Sequence, residues 1–163
     1  MTSPIRKILV TIAGGDISIT AAKYAICIAK SLGSELFAQY VVNMKALEDL
    51  LKAKVFVKAE SMEYERELEE QGARYLNNIK ELAEAKGVKV NTVLSKGVIH
   101  DEVVKTVQEL GIDMLIMGEL KELTSRRDSF YDEGERIFRE AKCPVLVVKE
   151  GKKAERMYED LPR

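Results

Sequence analysis

The sequence predicts one α/β domain, a parallel β-sheet with helices packed on both faces. Three observations carry this. Strand-like and helix-like segments alternate along most of the chain, and several of the helical ones end at a glycine. Two segments in the last third, residues 112–117 (IDMLIM) and 145–148 (VLVV), are apolar with almost no alternation. That is the pattern of parallel strands covered on both sides. Finally, 163 residues at 46% hydrophobic content can bury one sizeable core, and one compact domain is the expectation at that length.

The elements follow in order. Residues 5–13 (IRKILVTIA) form the first strand, centred on Ile8, Leu9, Val10 and Ile12, and Gly14-Gly15-Asp16 makes the turn after it. A helix over 18–32 sets Ala21, Ala22, Ala25, Ile28, Ala29 and Leu32 on one face and stops at Gly33. Small residues on that face let it lie close to a sheet. Residues 35–43 (ELFAQYVVN) are the second strand.

Segment 44–58 is the least regular. Ala46, Leu47, Leu50 and Leu51 keep helical spacing, whereas Val55-Phe56-Val57 is strand-like. A long charged helix over 59–86 turns Leu68, Tyr75, Leu76, Ile79, Leu82 and Ala83 inward and closes at Gly87. Residues 88–95 alternate as a third strand. Gly97 leads to a helix over 99–110 with Val103, Val104, Val107 and Leu110 inward and Gly111 as its stop. A strand over 112–117, a polar loop, a short amphipathic helix and a final strand over 145–148 complete the chain.

Composition excludes several classes. A net charge of −1 leaves no basic field for nucleic acid and no polybasic membrane signal. No apolar run approaches the ~20 residues of a spanning helix, and the N-terminus lacks a signal-peptide core, so a cytoplasmic protein is expected. Cys27 and Cys143 sit in apolar segments and read as small core residues. With a single histidine, His100, no metal site is expected.

The loop between the last two strands is where an α/β protein would hold a ligand. This stretch resembles the C-terminal half of a universal stress protein (Usp) domain. In that family a strand ends in Gly, followed by G-x2-G-x9-G-[ST], a helix, and a Cys-Pro-Val-Leu-Val-Val-like strand. Gly118, Glu135, Arg136, Arg139, Cys143, Pro144 and residues 145–148 fall where the family puts similar residues, and the interval from Gly118 to Cys143 needs no gap. The resemblance extends over residues 1–149, with 44–58 as a variable insertion. The segment 150–163 lies outside it as a charged C-terminal tail, expected to be mobile.

The resemblance implies a five-stranded parallel sheet of order 3-2-1-4-5, in a Rossmann-like domain of the adenine nucleotide alpha hydrolase type. Ligands would lie across strands 1 and 4, and the last strand would pair across a two-fold axis. Pro144, Val145, Leu146, Val147 and Val148 are therefore the implied homodimer interface, an edge with unpaired backbone groups. It also implies a nucleotide pocket with Thr11, Ile12, Val41 and Met117 at its adenine end, contacted through backbone atoms.

The chain departs from the family where phosphate is held. The aspartate that ends the first strand is Ala13, the second and third motif glycines are Lys121 and Tyr131, and the Ser/Thr is Asp132. Phosphate needs backbone N–H groups at close approach and a free helix N-terminus. Here Asp132 and Glu135 read as an acidic capping box, and Glu133 adds a carboxylate in the same turn. Residues 119–135 hold six acidic side chains against three basic ones. Arg126 and Arg127 could clamp one phosphate, with Ser125 beside them. The expectation is a non-catalytic Usp with a degenerate ATP site and no bound cofactor. The alternative is an ATP or AMP switch using a rearranged 119–131 loop.

Two enzymatic readings are weaker. AGGDIS, residues 13–18, resembles the S-G-G-x-D-S pyrophosphate loop of the ATP pyrophosphatases, but position 13 is Ala and Asp16 comes one residue early. It is better read as a tight turn with Asp16 or Ser18 capping the helix. His100 and Asp101 are neighbours on a helix, about 100° apart, and do not face each other. No catalytic residue is assigned.

Overall fold

The computed structural model describes residues 3–119 and 129–163, with the side chains of 129–132 outside the description. Strands β1 (Lys7–Ile12), β2 (Glu35–Asn43), β3 (Val90–Gly97), β4 (Met114–Gly118) and β5 (Val145–Val148) form one sheet of order β3-β2-β1-β4-β5. All four pairings are parallel. The helices are α1 (Gly15–Leu32), α2 (Met44–Lys52), α3 (Lys58–Glu84), α4 (Ile99–Leu110), α5 (Ser129–Glu140) and α6 (Gly151–Asp160).

Side-chain alternation along the strands divides the core in two. Ile8, Val10 and Ile12 of β1 pack with Ala21, Ala22 and Ala25 of α1, Leu76 and Ile79 of α3, and Ala154 and Tyr158 of α6. Leu9 faces the other way, with Phe37, Val103 and Val107 of α4 and Ile137 of α5. The alanine face of α1 lets its backbone settle on the sheet, and Gly118 does the same from below. A Cβ on Gly118 would lie 2.4 Å from Ile17 Cγ2. Helix–sheet packing by itself is enough to require this glycine.

Several expectations are corrected here. The tail 150–163 is not a free extension. It forms α6, because Ala154, Met157, Tyr158 and Leu161 recur at i, i+3, i+4, i+7 and give a charged segment one apolar stripe. That stripe covers α1, which explains why Ile26 and Cys27 are buried as well as the alanine face. Tyr158 donates its hydroxyl proton to Leu82 O at 2.7 Å, and Lys86 Nζ lies 4.9 Å from its ring centre. Within segment 44–58, α2 is a capped helix over Met44–Lys52, with Asn43 Oδ1 accepting from Ala46 N at 3.1 Å. The segment's Val55-Phe56-Val57 run makes no strand. It lies in the turn to α3 with Val55 and Val57 exposed.

Candidate functional site

The carboxyl ends of β1 and β2 open onto a pocket of about 180 Å³, lined by Thr11, Ile12, Ala13, Tyr40, Val41, Asn43, Leu68 and Ile99. Its position follows from topology. Chain connections run from β1 outward to β2 and β3 and then back to β4, so the loops and helix starts diverge at β1. The purine-end expectation of Thr11, Ile12 and Val41 meets here, with Ala13 at the rim. Met117 and Gly118 do not line this pocket. Met117 is fully buried among Leu9, Leu115 and Ile137.

Tyr40 and Tyr75 stack behind the pocket with ring centres 6.2 Å apart. Burial, followed by the neighbouring Tyr75 and Tyr64, pushes the Tyr40 hydroxyl pKa up, so it stays protonated at neutral pH. Gly72 of α3 makes room for this ring, since a Cβ there would sit 2.3 Å from Tyr40 Cδ1.

The β1–α1 turn shows where its backbone donors go. Gly14 and Gly15 take φ of 101° and 77°, a left-handed region that favours glycine. Ser18 Oγ accepts from Ala13 N at 3.0 Å and Gly14 N at 3.2 Å, and donates to Gly14 O. Tyr75 Oη accepts from Gly15 N at 3.2 Å. Ser18 therefore ties the turn together, and Asp16 makes no cap hydrogen bond. Three N–H groups that a pyrophosphate loop would offer outward already have partners inside the protein.

On the α5 side, Lys121, Ser125, Arg126 and Arg127 lie outside the described residues, as do the side chains of Tyr131 and Asp132. Helix α5 begins at Ser129, so Asp132 falls inside its first turn and is not its N-cap. Glu133 does not point at a ligand space. Its Oε2 accepts from His100 N at 2.8 Å and lies 2.7 Å from His100 Nδ1, with both side chains buried. His100 and Asp101 do meet, contrary to expectation, with Nε2 3.2 Å from Oδ1. Their Cβ directions diverge, but the side chains are long enough to touch at their tips. Among the described residues the partners of the two ring nitrogens are both carboxylates.

The universal stress protein family matches residues 4–149 of the chain. The protein belongs to the universal stress protein family. Universal stress protein MJ0531 of Methanocaldococcus jannaschii is 37% identical over 150 residues, covering 91% of this chain and 84% of that one. Among solved structures, the M. jannaschii protein MJ0577 superposes with a TM-score of 0.69 at 22% identity, over 90% of this chain and 96% of its own. The universal stress protein from Archaeoglobus fulgidus in complex with dAMP gives 0.60 at 15% identity, over 91% and 100%. These similarities agree with the Usp fold and its 3-2-1-4-5 order.

Several site residues of this universal stress protein had little local signal. Asn43, directly after a strand and before a helical pattern, was a readable N-cap. Leu68, Tyr75 and Ile99 reach the site region from segments far away in sequence. The Glu133–His100 contact joins residues 33 apart and was hidden by reading each within its own helix.

Proposed function

We propose that this universal stress protein is a non-catalytic regulatory member of its family, in which the pocket at the adenine end persists and the triphosphate end is lost. One observation carries the reading. The N–H groups of Ala13, Gly14 and Gly15, at the strand end nearest the pocket, are bonded to Ser18 and Tyr75. The Asp-to-Ala change at position 13, and Lys121, Tyr131 and Asp132 in place of the motif residues, support it. At the β1–α1 turn ATP would find those three donors already bonded and no carboxylate at position 13 to organise its cation.

Calorimetry with ATP, ADP and AMP in the presence of Mg2+, with mass spectrometry of freshly purified protein, tests this. No co-purified nucleotide and at most millimolar ATP binding are expected. Micromolar ATP affinity refutes it. The variant Ala13→Asp, Lys121→Gly, Tyr131→Gly, Asp132→Ser should gain ATP binding, because the Gly118-to-Cys143 spacing of the motif is uninterrupted.

A second reading, a nucleotide switch, is favoured by the same pocket and by the dAMP complex of the A. fulgidus relative. It places an adenine against Thr11, Ile12 and Val41 and the phosphate against Ser125, Arg126 or Arg127 of a rearranged 119–131 loop. Micromolar AMP binding that is lost in Arg126→Ala, Arg127→Ala would select it.

The working unit we propose is a homodimer formed through β5. This strand is at the sheet edge, and among the described residues only β4 pairs with it. Val145, Leu146 and Val147 are half-buried and Pro144 is exposed. Such an edge suits an isologous contact. Sedimentation should show dimers for the native chain and monomers for Leu146→Lys.

A further inference from the structure

We propose that the start of α4 and the end of α5 form a site for one divalent transition-metal ion. The ligands would be His100 Nε2 and the carboxylates of Asp101 and Glu140. None of the three ligands lines the pocket, although Ile99 beside His100 does, and the proposal does not rest on the nucleotide reading. Ligand atoms of the three residues lie within 4.8 Å of one another.

The imidazole makes this more than a group of acids. His100 is 7% exposed, and its Nδ1 is 2.7 Å from Glu133 Oε2, which is itself buried. Glu133 Oε2 also accepts the His100 backbone N–H, so this carboxylate is held in place and acts as an acceptor for Nδ1–H. A carboxylate accepting from one ring nitrogen is how metal-binding histidines are commonly held, with the other nitrogen presented to the ion. The other ring nitrogen, Nε2, lies 3.2 Å from Asp101 Oδ1. At that separation either a ring proton or a bound cation bridges the two atoms. Two ligands at about 2.0–2.1 Å from a tetrahedral ion stand roughly 3.3 Å apart, so the separation already fits.

The surrounding charge points the same way. Asp101, Glu133 and Glu140 converge on one imidazole. Among the described residues no lysine or arginine forms an ion pair with any of them. Glu140 also ends α5, where the helix dipole disfavours negative charge. Its side chain is exposed. One imidazole and two carboxylates suit a first-row ion such as Zn2+ or Co2+, with water in the fourth position. Bound there, the ion would join α4 to α5, the helix that follows the 119–128 segment.

The test titrates the metal-free full chain with Zn2+ and, separately, Co2+ by calorimetry. One saturable site at micromolar affinity or better is expected, with a higher Tm when loaded. Asp101→Asn and Glu140→Gln, both at exposed positions, should fold normally and bind at least tenfold more weakly. Glu133→Gln should lose about 10–100-fold through the ring orientation. A Cys27→Ser, Cys143→Ser chain should bind like its parent. Absence of saturable binding overturns the proposal. So does binding that survives both carboxylate changes or vanishes with the cysteines.

Discussion

Replacing Tyr158 measures what α6 contributes. Its ring is 9% exposed, its hydroxyl donates to Leu82 O of α3 at 2.7 Å, and Lys23 and Lys86 stand over it at 5.4 and 4.9 Å from the ring centre. Tyr158→Phe removes only the hydrogen bond, worth ~1 kcal/mol. Tyr158→Ala also removes the buried ring. Large aromatic-to-alanine changes in cores cost ~3–5 kcal/mol, and a ring at the edge between helices belongs at the low end, ~3 kcal/mol. At roughly 2–4 °C per kcal/mol for a domain of this size, the two variants should melt about 2–4 °C and about 6–12 °C below the parent. Circular dichroism melts read this directly. Cys27 supplies a local probe, since the residue is 3% exposed and lies near Tyr158. Labelling of native Cys27 should accelerate in Tyr158→Ala and change little in Tyr158→Phe. If Tyr158→Ala melts within about 1 °C of the parent and Cys27 stays protected, α6 does not hold α1 and α3, and the reasoning fails.

Three further outcomes follow from single contacts. Gly118→Ala puts a Cβ 2.4 Å from Ile17 Cγ2 and 3.2 Å from Ile17 O. Urea denaturation should show a loss of ~1–3 kcal/mol as α1 is pushed off β4. Asp113 accepts from Lys7 N and Arg6 N, each at 2.9 Å, and these bonds hold its carboxyl below the usual carboxylate range. Because the folded value is the lower one, its stabilisation is full above about pH 4 and disappears as pH falls through the folded value. Asp113→Asn should therefore flatten the acid limb of a stability–pH curve and leave its shape above neutrality unchanged. Burial raises the thiol pKa of both Cys27 and Cys143, so both stay protonated at pH 7. Iodoacetamide should modify the native chain slowly at that pH and the urea-unfolded chain readily.

What the sequence determined by itself was set by short-range pattern. Apolar runs at 112–117 and 145–148, the alanine face of α1 and glycines at 33, 87 and 111 place strands, helices and stops, because each depends on neighbours within a few residues. All three glycines take left-handed φ, as a helix stop requires. The family motif was likewise readable, since its frame is contiguous. The stripe Ala154, Met157, Tyr158 and Leu161 carried the same kind of signal for α6, obscured by the charges around it.

The tertiary structure alone decided which polar groups are already taken. Tyr75 reaches Gly15 N from a helix 60 residues away, and Glu133 reaches His100 across 33. Within one helix Glu133 is simply an acid in a first turn, and within another His100 and Asp101 point apart. Only the packing of α5 on α4 turns the carboxylate inward and fixes one ring nitrogen so that the other faces Asp101. Hydrogen-bond satisfaction is a property of the packed chain. Whether a residue is a free donor or a spent one depends on partners that sequence proximity does not specify.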